Sequence, residues 1–321
     1  MSMPPPPLPG AAAEQPSPQV TEVPIAEARI LFNSFTSFLT VSIHTILYYR
    51  GIYPKQTFLS AKAFNLPVHQ SRHPKVCSWI NDAVDAVTAQ IAQGRVERVA
   101  VVIHAPMNPS SLQFSSAQQI TPGSILERWM FDVSHFPAWP GGIEALNNFR
   151  GEGGGNEQND EDGPDDEDGS GDDNTKDATG DGGPAETDLT SAINWTDVDE
   201  QLRGTVRRLA YAGETMEPSP EGCTFTVAVE LRDEAQTPIG HPQPWIPSQP
   251  GLQPASRSRT QKGYDIGGVK TTPIRAIEAG PLFFECWVEE GEAKDAIRAS
   301  QAQSSIQHRR LTNKIPEHDS Q

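Results

Sequence analysis

The chain has 321 residues, with 42 Asp and Glu against 25 Lys and Arg, and a formal net charge of −17. The charge is concentrated: residues 151–188 hold fifteen Asp and Glu and one Lys, a net −14, which leaves −3 for the rest. That excludes a uniformly acidic folded surface, and no basic stripe with interleaved aromatics offers direct nucleic-acid binding. Cys77, Cys223 and Cys286 are far apart with no CxxC pair, which argues against zinc and disulfide frameworks and fits a reducing compartment.

Residues 1–24 are rich in Pro and Ala and read as disordered, without the basic and apolar regions of a signal peptide. Ile25–Arg50 reads as a long helix, because Ala28, Leu31, Phe32, Phe35, Phe38, Leu39, Ile43, Ile46 and Leu47 recur at three- and four-residue steps. Gly51 and Pro54 end it, and His44, set among apolar neighbours, reads as a packed histidine. Its apolar run includes Asn33, His44 and several hydroxyl residues, so no membrane span is expected. Thr57–Val68 fits a small hairpin and His73–Gln93 a second helix, with Pro74 in its first turn. Trp79 lies at the edge of that helix's apolar stripe, where an aromatic serves as core rim or as a partner anchor.

Val96–His104 reads as a strand apolar on both faces, hence central, and Ser124–His135 as another strand. An insertion over about 140–188 follows, and its acidic part cannot bury enough apolar surface to offset its ordering entropy. Leu189–Ala212 is the third predicted helix; the sequon Asn194-Trp195-Thr196 within it has no secretory signal to give it meaning. Glu221–Leu231 opens on a turn and continues as a β-branched strand. Seven prolines between 238 and 273 then predict an irregular surface wrap up to a last strand at Leu282–Glu289. From Gly291 onward the polar composition predicts a flexible tail. The fold class is α+β: one domain over 25–290, three helices on a mostly antiparallel sheet, between a disordered N-terminus and a flexible 291–321 tail.

Chemistry is sparse. The chain has no GxxxxGK(S/T), HExxH or GxSxG, and its histidines are scattered without ligand spacing. No catalytic residues, metal site or cofactor are assigned; the expectation is a non-enzymatic binding module. The strand, wrap and strand of the C-terminal half form either a peptide clamp or an ordinary long loop. A different class, an acidic chaperone-like binder of basic proteins acting through 151–188, also stays open.

Five separated blocks carry a resemblance: HTILYYRGIYP from His44, FNLPVHQSRHP from Phe64, PEGCTFTVAVE from Pro220, PWI at Pro244–Ile246 and FECWVEE from Phe284. Together, over about Ala26–Glu290, they resemble the HORMA domain, and within it the accessory, non-catalytic subunits of translesion DNA polymerase zeta. The resemblance implies a partner's closure motif added as a strand beside Cys223–Leu231, with the following segment passing over it as a safety belt. It places Trp79, Trp245, Cys223, Phe225 and Val227 at that peptide, which would belong to the polymerase's catalytic subunit. Glu285, Trp287 and Thr271 fall where relatives contact the C-terminal domain of a Y-family scaffold polymerase, and Glu285 and Thr271 depart from the residue types usual there. Arg203 falls at a HORMA–HORMA dimer contact. The implied role is a nuclear adaptor in lesion bypass, with no direct nucleic-acid or membrane contact. The alternative within the family is a regulator of the mitotic ubiquitin ligase and spindle checkpoint, or of double-strand-break repair choice.

Overall fold

Helix α1 (Ile25–Tyr49) lies across the sheet and supplies the largest share of the core, with Leu31, Phe35, Phe38, Leu39, Ile43, Ile46 and Leu47 wholly buried. By length and a mean hydropathy of 1.5 it would pass as a membrane span, contrary to the sequence reading. Its apolar side is spent on the protein interior: Phe35 meets Phe284 edge-on at 5.4 Å and Phe38 meets Phe131 at 6.0 Å. The computed structural model describes residues 24–107, 121–137, 193–233, 235, 245–248, 250–253, 260–264 and 266–299. The Pro-rich N-terminus, the acidic insertion and the tail beyond residue 299 lie outside the described residues.

The remaining elements are β1 (Phe58–Ala63), β2 (Leu66–Ser71), α2 (Pro74–Ala92), β3 (Val96–His104), β4 (Ile125–Asp132), α3 (Trp195–Thr215), β5 (Thr224–Leu231), β6 (Lys270–Ala279) and β7 (Leu282–Glu290). A helical segment over 292–299, labelled α4, follows β7. Strands β1 and β2 form a hairpin whose turn residues Phe64 and Asn65 both have positive φ, as a tight two-residue hairpin turn requires. The other strands form one antiparallel sheet in the order β5-β3-β4-β7-β6. Central β3 is buried on both faces from Val99 to Ile103, as its pattern predicts.

Four corrections to the sequence reading have physical causes. The third helix starts at Trp195, because the Asn194 side chain caps it by accepting the Asp197 N–H at 3.2 Å. The hairpin runs on to Ser71, past the predicted Val68. Strand β6 lies inside the stretch whose prolines predict an irregular wrap. It tolerates Pro273 because it is the outermost strand, and its register slips between Pro273 and Arg275. Finally, residues 292–299 are helical where a flexible tail is predicted, with Lys294 and Ile297 both buried. The turn into this helix needs a glycine: a Cβ on Gly291 would come within 2.5 Å of the Ile125 carbonyl oxygen.

Candidate functional site at the edge of strand β5

Strand β5 is the end strand opposite β6 and pairs only with β3 among the described residues. In an antiparallel ladder alternate residues turn their N–H and C=O outward. The eight residues Thr224–Leu231 therefore present about four donors and four acceptors along a free edge. Such an edge is a template for another strand unless something covers it.

The core-facing side of β5 carries Phe225, Val227, Val229 and Leu231, all partly buried against the main core. Phe225 is held between two aromatics, edge-on to Trp79 of α2 at 5.1 Å and to Tyr53 at 6.4 Å. Trp79, Phe225 and Val227, which the sequence resemblance groups at a peptide site, are thus on one side of this edge. Cys223 is different. It is 6% exposed, packed in the core ahead of the strand, and burial with the Glu127 charge pushes its thiol up to about 12.

The segment after β5 brings Trp245 against the same core. Its indole nitrogen is buried and has no hydrogen-bond partner among the described residues, although a buried N–H normally has an acceptor. Seven residues on, Leu252 is buried against the opposite face of the sheet, on Ala100, Val102, Ile125 and Met130 with Ala228 of β5 alongside. Between these two anchors the segment passes from one side of the sheet to the other. Its far end is pinned at the end of β7: the Val269 N–H donates to the Glu290 carbonyl at 2.8 Å and the Gly267 N–H to Glu289 Oε2 at 3.1 Å.

Behind the start of β5 lies a buried charged group. Glu127 of β4 points into the core, fully buried, and accepts from Arg50 Nε at 2.9 Å, Arg50 Nη2 at 2.6 Å, Lys294 Nζ at 2.6 Å and Trp129 Nε1 at 3.0 Å. Burial pushes its carboxyl up, but the Arg50 and Lys294 charges and hydrogen bonds outweigh that and hold it below the usual range. Arg50 also donates to the carbonyls of Gly213, Met216 and Glu217, fixing the link from α3 to β5. Burial likewise opposes ionisation of Glu290, yet hydrogen bonds from Lys270 and Lys294 bring it to about 2.

The other predicted residues sit elsewhere. Leu282, Phe284, Cys286 and Val288 are buried, so Phe283, Glu285 and Trp287 do face outward. Glu285 is exposed, and Thr271 is exposed opposite Glu289 on the neighbouring strand. Trp287 is less free than alternation suggests: it packs beside the Leu252 cluster and donates to Glu289 Oε1 at 2.9 Å. Arg203 lies on α3, partly exposed and paired with Glu200 at 3.0 Å, on a helix that packs against α1 and β6. The residues that sequence reading misses are Tyr53, Arg50, Glu127 and Lys294. Arg50 and Tyr53 lie inside the first quoted block, whereas Glu127 in a strand and Lys294 in the tail are single charges with no pattern to announce burial.

A HORMA domain profile matches residues 33–272. The chain is 25% identical over 257 residues to the DNA polymerase zeta processivity subunit of Schizosaccharomyces pombe, covering 80% of this chain and 91% of that one. It is 22% identical to the mitotic spindle assembly checkpoint protein MAD2B of Danio rerio, covering 84% and 94% of the two chains. Among solved structures, C. elegans HTP-2 bound to the HIM-3 closure motif aligns with a TM-score of 0.45 at 12% identity, covering 84% of this chain and 93% of that one. With the profile matching well over half of its length, the chain belongs to the HORMA domain family.

Proposed function

We propose that this protein is a non-catalytic adaptor that clamps an extended peptide of a partner as an added strand on β5, under the segment from Arg232 to Val269. The observation that carries the reading is the combination, among the described residues, of an unpaired strand edge with Trp245, whose buried indole N–H lacks an acceptor. A peptide main chain supplies what is missing, carbonyls and N–H groups for the edge and an acceptor for the indole. Each main-chain bond nets only about 0.5–1.5 kcal/mol, so a short peptide depends on the belt as well as the ladder.

The partner is inferred from the relatives: the catalytic subunit of a polymerase zeta, with action in the nucleus during translesion synthesis. The exposed outer face of the β6–β7 hairpin, with Glu285 and Thr271 beside Trp287, is the surface proposed for a scaffold polymerase. Arg203 on α3 is proposed for a HORMA–HORMA contact. The domain, read from the sequence as 25–290, extends in this reading through α4 to 299. The MAD2B relatives favour a second reading, the same clamp serving a mitotic checkpoint.

The test is binding of a peptide panel from the polymerase catalytic subunit and from checkpoint partners to the full chain. Trp245→Phe keeps an aromatic ring but removes the donor together with the five-membered ring, and should weaken binding by at least about two- to tenfold, the value of one hydrogen bond. Trp245→Ala and Trp79→Ala should each weaken it by about 2 kcal/mol or more. Binding that is indifferent to all three substitutions would overturn the clamp.

A further inference from the structure

We propose that α4 is a latch on the belt, tying the belt's far end to the turn that leads into β5. This deepens the clamp reading and rests on it, since it assigns what holds the clamp shut. The belt leaves β5 and rejoins the sheet at Lys270, so both of its ends must stay in place for it to hold a peptide. One chain of ion pairs joins the far end to the turn that leads into β5, the strand from which the belt departs. Lys270 Nζ meets Glu290 Oε1 at 2.8 Å, and the other oxygen of Glu290 meets Lys294 Nζ at 2.9 Å and Arg298 Nη2 at 2.8 Å. Arg298 then reaches Glu217 Oε2 at 2.7 Å, in the turn ahead of β5, while Lys294 reaches the buried Glu127 at 2.6 Å.

The helix is built for this position. Its start, just after β7, is anchored on β4, where the Gly291 N–H donates to the Leu126 carbonyl at 2.9 Å. Ile297 faces the Glu217–Pro220 turn across a small gap lined also by Leu126 and Lys294. The buried half, Lys294 with Glu127 and Glu290, is held by charges that cannot be left alone in the interior. The outer half, Arg298 with Glu217, is one-third exposed and can be broken at small cost. A tight inner lock with a weak outer hook gives a helix that can peel from its C-terminal end and free the belt's far end.

The experiment uses the full chain and two readouts. Hydrogen exchange by mass spectrometry should show Arg298→Ala and Glu217→Gln each raising exchange over residues 266–290 about three- to fivefold. Lys294→Met should raise it about tenfold or more beyond the uniform rise in α1, α2 and β3 that loss of a buried counter-charge brings, whereas the two outer variants should leave α1, α2 and β3 unchanged. In parallel, a labelled closure-motif peptide of a polymerase zeta catalytic subunit should dissociate faster from each variant. Unchanged exchange over 266–290, or an equal rise in α1, α2 and β3, would reduce α4 to ordinary packing and overturn the latch. If the unsubstituted chain fails to bind the peptide, the clamp reading falls, and the exchange pattern still decides whether α4 ties the belt's far end to the turn ahead of β5.

Discussion

Glu127→Gln removes one charge from the least accessible ion group of the fold. The carboxylate accepts from Arg50, Lys294 and the Trp129 indole, and all three partners are buried. An amide keeps the shape but turns a donor toward donors and leaves two cations short of a counter-charge. Breaking a buried pair by removing one partner costs about 3–5 kcal/mol. The lower part of that range applies here, because Arg50 retains the carbonyls of Gly213, Met216 and Glu217 and Lys294 retains Glu290. At about 2–4 °C per kcal/mol for a domain of this size, the melting point should drop by roughly 10 °C. Calorimetry and urea unfolding at neutral pH provide the measurement, and a cycle with Lys294→Met should show coupling of about 0.5–3 kcal/mol. A loss below about 1 kcal/mol, the range of an ordinary surface substitution, would refute the argument that the buried cations depend on this carboxylate.

Two further predictions concern acid and the outer face. Burial lowers His44 from 6.5 to about 4, so the unfolded chain takes up its proton first and stability falls as pH drops from 6.5 toward 4. His44→Leu should flatten that part of a stability–pH profile while leaving the next decline, as Glu290 protonates between 4.5 and about 2; an unchanged profile would show that His44 does not control it. Trp287→Ala should lower thermal stability by about 1–3 kcal/mol, because the ring packs beside Leu252 and its N–H bonds Glu289. Full stability in that variant would return Trp287 to the role of a purely exposed contact residue.

Much of the fold is legible in one dimension because it rests on periodicity. The three-and-four spacing of α1, the two-faced apolar run of β3 and the alternation of β7 each dictate an element and its buried side. The aromatics proposed for the clamp come from the sequence too, since Trp79, Phe225 and Trp245 lie in or beside the blocks that carry the family resemblance, and the structure sets Trp79 against Phe225. Where the reading failed, a local rule met a tertiary exception. Pro273 sits in a strand because that strand is the last in the sheet, and 292–299 is helical because its two cations have buried carboxylates to meet.

By itself, then, the sequence determined the strongly periodic segments such as α1, α2, β3 and β7, which side of each is apolar, and that the acidic charge belongs to one insertion. Only the tertiary structure decided that, among the described residues, β5 ends the sheet with an unpaired edge and the indole of Trp245 lies buried without an acceptor, and that Glu127 and Lys294, 167 positions apart, share one buried site. The reason is physical. Periodicity is set by the backbone of each segment alone, whereas strand order, orphaned donors and buried ion pairs depend on which distant groups the chain brings together to exclude water.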